Sequence, residues 1–178
     1  MKEEVILVNE MDQEVGKMEK QQAHEIGLLH RAISVFLFNP KGELLLQKRA
    51  SSKYHSGGLW TNTCCSHPRP GEKNIEAAIR RLYEEMGICS GLDYSFSFTY
   101  TAHFENGLIE NEFDHVFTGI SKVIPQLNIE EAEDFDYVSI PNIIIDMDKN
   151  PNNYTEWFKI AIHKVDFQLK KEYLENKL

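Results

Sequence analysis

The chain has 178 residues, 42% hydrophobic and 26% charged, the content of an ordinary soluble protein with one sizeable core, which excludes a disordered or fibrous class. Nineteen basic side chains against 28 acidic ones give a net charge of -9, which disfavours non-specific binding to nucleic acid or to an anionic membrane surface. An anionic ligand therefore needs a local basic pocket or a metal.

The start, Met1-Lys2-Glu3-Glu4, leads into an apolar run at 5–8 that is too short and too acidic in its flanks for a signal peptide, and no span approaches membrane length. Residues 5–8 read as a strand, followed by a polar turn and a short return over 11–16. An apolar, β-branched run over 32–38 ends at the turn signal Asn39-Pro40-Lys41-Gly42, and 43–49 return as its hairpin partner. A loop with Gly57-Gly58 follows. Asn74 is placed as the N-cap of a helix whose Ile75, Ala78, Ile79, Leu82 and Met86 keep the spacing of one apolar face, and Gly87 closes it. The opposite face carries Arg80, Arg81, Glu84 and Glu85, which in a lone helix would be a solvated face with ion pairs four residues apart. Residues 94–104 alternate aromatic and small polar side chains, Glu105-Asn106-Gly107 offers a hairpin turn, and 108–120 form a long second strand. The acidic stretch 130–134 precedes a strand over 135–140, and from about 143 to 178 the chain is mainly helical around a break at Pro151-Asn152-Asn153. No repeat, linker or low-complexity segment interrupts it, so 1–178 is expected to be a single α/β (α+β) domain that includes the C-terminal helical extension.

Trp60-Thr61-Asn62-Thr63-Cys64-Cys65-Ser66-His67-Pro68 sets Cys65 and His67 two apart, and Glu110-Asn111-Glu112 does the same for two carboxylates. Alternate residues of a strand face the same side, so each pair, if extended, reaches one side of a sheet. With His24 and His30 upstream, these stretches describe a metal beside a thiol. Taken singly, each histidine is more often structural or exposed than a ligand, and a lone Cys65 would be a small buried hydrophobe. Joint occurrence reverses that reading. A structural zinc built on Cys65 and His67 lacks the CxxC pair that would complete it, and Cys64, facing the other way, belongs to the core. Three cysteines form an odd set without framework spacing, so reduced thiols in the cytoplasm are expected, with Cys89 given no role.

Residues 71–88, from Gly71-Glu72 through Arg80-Arg81 to Glu84-Glu85-Met86-Gly87-Ile88, resemble the Nudix box, a loop-helix-loop whose acidic residues bind the metal of a diphosphate substrate. The pattern keeps Arg80, Glu84, Glu85 and Gly87 but has Ala77 and Arg81 where a Nudix hydrolase has glutamates. Those departures, taken with the 60–68 and 110–112 stretches, make the chain resemble a type I isopentenyl-diphosphate Δ-isomerase from about residue 5 to 157. The resemblance implies Nudix-like mixed β-sheets flanked by helices. It also implies the conversion of isopentenyl to dimethylallyl diphosphate, in isoprenoid biosynthesis, by protonation and deprotonation across a double bond. A Nudix hydrolase of a nucleoside diphosphate derivative is the alternative.

Carried over residue by residue, the resemblance makes Cys65 and Glu112 the catalytic pair, with Glu112, helped by Tyr100, as the donor to the alkene and Cys65 on the opposite face. Tyr100 is equally readable as an ordinary strand aromatic. His24, His30, His67, Glu110 and Glu112 are the implied metal ligands, a mixed nitrogen and oxygen set that suits Mn²⁺, Zn²⁺ or Mg²⁺. Lys20, Arg49, Lys53 and Arg81 would hold the diphosphate, Glu85 would help bind a Mg²⁺ bridging its phosphates, and Trp157 would lie over the developing cation. The expected partner is that small-molecule diphosphate, with no nucleic acid and no membrane, for a cytoplasmic monomer or weak homodimer.

Overall fold

The apolar run in the first third of the chain is buried on both sides, which makes it the middle of the sheet. This is seen in a computed structural model that describes residues 3–53 and 55–175. The leader reading at Met1-Lys2 and the outer limits of a 1–178 domain lie outside the described residues. The elements are β1 (Glu4–Val8), β2 (Glu14–Glu19), α1 (Lys20–Ile26), β3 (His30–Phe38), β4 (Leu44–Arg49), β5 (Trp60–Thr61) and β6 (Cys64–Ser66). After them come α2 (Asn74–Met86), β7 (Asp93–His103), β8 (Ile109–Ile120), β9 (Ala132–Val138), α3 (Ile140–Lys149) and α4 (Glu156–Glu175).

Along β3, Ile33, Val35 and Leu37 pack with Ala78, Leu82 and Met86 of α2, while Phe36 and Phe38 pack with Ile143 of α3 and with Phe158 and Ile162 of α4. A strand covered on both faces loses the alternation of a half-exposed one and reads as a continuous apolar run. β3 pairs parallel with β8 from His30↔Glu112 to Phe38↔Ile120, and antiparallel with β6 from Ile33↔Ser66 to Val35↔Cys64. β7 and β8 form the hairpin expected around Gly107, whose φ of 83° needs a glycine, and the register sets Tyr100 opposite Glu112.

Several expectations are corrected. The 32–38 and 43–49 strands do join at the Asn39 turn, but they pair only at Phe38↔Leu44; β4 then turns to β9 and β5, leaving β3 free for β6 and β8. The N-cap of α2 is Lys73 rather than Asn74, because Glu76 in the first turn accepts the Lys73 backbone N–H at 3.4 Å and draws the helix start back one residue. Ile79 of the proposed apolar face is 40% exposed, whereas Glu85 of the supposedly solvated face is 3% exposed. The last strand begins at Ala132, inside the acidic stretch, and stops at Val138, since Pro141 in the first turn of α3 starts a helix there.

Candidate active site

Strand parity assembles most of the site on one side of the sheet. His30 on β3, Cys65 on β6, His67 just beyond it, Tyr100 on β7 and Glu110 and Glu112 on β8 turn toward the face covered by α4. The opposite parity sends Cys64 into the α2 layer, fully buried, as its position beside Cys65 implied.

His24, the one buried polar residue of α1, joins them from outside the sheet. Ligand atoms of His24, His30, His67 and Glu112 all lie within 4.8 Å of one another. His24 donates from Nδ1 to the Lys20 carbonyl at 2.6 Å, and His30 from Nδ1 to that of Leu28 at 2.8 Å. Each backbone contact fixes a tautomer whose Nε2 carries a lone pair, the arrangement that prepares imidazoles as ligands. His67 Nε2 stands 2.9 Å from Glu112 Oε1 and His30 Nε2 3.5 Å from the same oxygen. His30 Nε2 and His67 Nδ1 are buried without a hydrogen-bond partner. Buried nitrogen lone pairs beside a carboxylate are a donor set that a divalent cation satisfies. Glu110 stands beside this group, accepting from the Tyr100 hydroxyl at 3.1 Å, while the same hydroxyl donates to Glu112 Oε2 at 2.5 Å.

The two β8 carboxyls are driven apart. Burial pushes Glu110 well above the usual carboxylate range, with the Glu112 charge adding to it. Burial also penalises Glu112, but contacts from His30 and His67 outweigh it and hold Glu112 well below that range. The His67 imidazole is pulled down to about 4 by burial against the pull of Glu112, and burial likewise lowers His24. Cys65 is raised far above an ordinary thiol by burial, so it carries its proton at neutral pH.

The 60–68 stretch has a structural logic. Asn62 Nδ2 donates to the Cys64 carbonyl at 2.7 Å and to that of Val35 at 3.3 Å, tying the approach to β6 onto β3. Thr61 Oγ1 accepts the Trp157 indole N–H at 2.9 Å and the Thr155 hydroxyl at 3.0 Å, which fixes the first turn of α4. Trp157 is therefore held beside the strand that delivers Cys65.

One cavity of about 430 Å³ is lined by Cys65, Tyr100, Glu110, Glu112 and Trp157 together with Lys20, Arg49, Lys53, Arg81 and Glu85. Three of the four basic residues are engaged with acids: Arg81 pairs with Glu85 and Glu84 at 2.8 Å each and with Glu131 at 3.2 Å, Lys53 also pairs with Glu131, and Lys20 pairs with Glu3. Gln47 donates to the other oxygen of Glu85 at 2.9 Å. An anionic ligand entering here exchanges carboxylate partners for its own oxygens.

Glu3 and His55 are among the cavity residues that escaped the sequence reading. Glu3 lines the cavity from ahead of β1, and His55 reaches it from the β4–β5 loop, where burial lowers the imidazole to about 3. Neither lies in a periodic pattern. A histidine two residues from Lys53 was the only available signal.

Comparisons with known proteins bear on the family and the fold. The family model described as the NUDIX domain matches residues 28–158. An isopentenyl-diphosphate Delta-isomerase of Pectobacterium atrosepticum is 51% identical, over 91% of this chain and 90% of that protein. Isopentenyl-diphosphate Delta-isomerase 1 of Aromatoleum aromaticum is 53% identical over 93% of each. Among solved structures, the crystal structure of DR0079 from Deinococcus radiodurans superposes with a TM-score of 0.77 at 18% identity, covering 91% of this chain and 98% of that one, a likeness of fold.

Proposed function

This chain belongs to the isopentenyl-diphosphate Delta-isomerases, a family with the Nudix fold, and from that membership we propose how its residues carry out the isomerisation. The enzyme interconverts isopentenyl and dimethylallyl diphosphate in isoprenoid biosynthesis. The observation that carries the reading is the single cavity lined by a thiol, a carboxylate pair and an indole together with four basic side chains.

In this reading Arg49, Lys53, Arg81 and Lys20 grip the diphosphate, Arg81 through a guanidinium suited to paired phosphate oxygens. Glu85 would help hold a Mg²⁺, which would supply further positive charge for the diphosphate. His24, His30, His67 and Glu112, with Glu110 beside them, would hold a divalent metal, which would supply fixed positive charge to the site. The imidazole-rich set favours Zn²⁺ or Mn²⁺ over Mg²⁺.

The reaction adds a proton to the methylene carbon and removes one from the allylic carbon, so two groups in opposite protonation states are required. Cys65 and Glu112 form that pair, with Glu112 as the donor to the alkene and Cys65 on the opposite face, the order drawn from sequence. Tyr100, hydrogen-bonded to both β8 carboxyls, orients Glu112 for proton transfer. Trp157 offers its face to the developing cation, an interaction of up to ~2 kcal/mol in a dry site.

Hydrolysis fits less well. Ala77, where a hydrolase carries a glutamate, is fully buried in the core, and Arg81 replaces another acid with a cation. No helix among the described residues is long and apolar enough to cross a membrane. Three free cysteines accord with a cytoplasmic setting.

Chelation tests the metal directly. Dialysis against a strong chelator is expected to abolish isomerisation and lower Tm, with Zn²⁺ or Mn²⁺ plus Mg²⁺ restoring both, because binding to the native state alone stabilises it. Full turnover by demonstrably metal-free protein would refute the metal assignment.

A further inference from the structure

We propose that His55 is a specificity-determining residue that walls the cavity between Trp157 and the β8 carboxylates and limits the substrate to five carbons. The proposal rests on the isomerase reading above and adds to it a residue outside the proton-transfer, metal and diphosphate groups.

His55 is placed there by a tightly built loop. Ser56 holds a φ of 51°, a left-handed conformation uncommon for a residue with a side chain. A Cβ on Gly57 would lie 2.7 Å from the Ser51 carbonyl oxygen, so only glycine allows the chain to pass this close. Gly58 N–H donates to the Arg49 carbonyl at 3.0 Å, and Arg49 Nη2 donates to the His55 carbonyl at 3.4 Å. The loop thus closes on itself and aims the imidazole inward, where its side chain is 7% exposed.

Once inside, the ring is bounded on several sides. Its centroid lies 5.0 Å from that of Phe104, at 30°, and 5.9 Å from that of Trp157, at 84°. Nε2 stands 3.6 Å from Glu110 Oε1, and the His24 ring is 6.4 Å away. His55 therefore spans the interval between the indole and the carboxylates, backed by Phe104, which does not itself line the cavity. A rigid ring there sets how much space remains beside Cys65 and Trp157 for the branched carbon. Space at this point is discriminating, since one methylene in a closed apolar pocket changes selection roughly 10- to 200-fold.

Arg49 adds a second consequence. It holds the His55 carbonyl and lies 5.2 Å over the Trp157 ring, so the diphosphate grip and the wall around the alkene share one side chain. Loss of the His55 ring should accordingly disturb alkene placement, a kcat effect, more than diphosphate capture, a KM effect.

The test compares the metal-replete parent with His55→Ala and His55→Phe on isopentenyl diphosphate and on the analogue with ethyl in place of its methyl branch. His55→Ala is expected to lower kcat for the natural substrate roughly 10-fold with KM little changed, and to shift the kcat/KM ratio toward the ethyl analogue by ~10-fold or more. His55→Phe, which restores a ring of similar size, should return the ratio to near the parent value. An unchanged ratio in His55→Ala, or an equal shift in folded His55→Phe, overturns the proposal. Absence of isomerisation by the parent itself would instead sink the isomerase reading on which the proposal rests.

Discussion

Cys65→Ala is expected to lower turnover by roughly 10³-fold, the scale of removing a positioned proton-transfer group, while leaving the fold and the metal content intact. The side chain is half-buried on a short strand, and Cys64 beside it, not Cys65, fills the α2 layer, so stability should change by no more than about 1 kcal/mol. Deuterated water sharpens the outcome. With Glu112 as the donor, the variant still protonates and releases at the methylene carbon, so deuterium is expected to accumulate there without isomer. If Cys65 were the donor instead, the variant could not form the cationic state and recovered isopentenyl diphosphate would carry no deuterium. Near-normal turnover would remove Cys65 from the mechanism altogether.

Glu112→Gln should be equally severe for a different reason. The amide keeps the shape and offers Tyr100 an oxygen, but it removes the charge that His30 and His67 surround and the carboxyl that transfers the proton. Metal affinity is expected to fall at least ~10-fold, since even groups that merely orient ligands are worth that much, and turnover to fall roughly 10³-fold. Metal analysis and kinetics on the same sample separate the two losses. A variant that retains full metal and near-normal rate contradicts both roles given to Glu112; one reloaded with excess metal that stays inactive supports the proton role specifically.

Much of this site was legible because period-two alternation converts spacing directly into geometry. Cys65 and Cys64 had to diverge on any strand, and the Asn106-Gly107 turn fixed the register that sets Tyr100 opposite Glu112. Other features left no such trace. In α1 only Ala23 and His24 are buried, too few for a periodic pattern, so the helix that delivers His24 was not foreseen. His55 sits in a loop shaped by Ser56 and Gly57, where no periodicity operates. The burial of Glu85 depends on Gln47 and on the chain around Glu131, contacts 38 and more residues apart that a helical wheel does not contain. Strand partners failed for a related reason: a good turn at Asn39 implies a hairpin, but the bulk on both faces of β3 selects β8 as its long neighbour instead.

Incubation of the metal-replete protein with isopentenyl diphosphate in deuterated water, followed by proton and phosphorus NMR, tests the central claim most directly. The expected result is dimethylallyl diphosphate with deuterium in a methyl group and the diphosphate intact. Release of phosphate without isomer, or recovery of unchanged substrate, would contradict it.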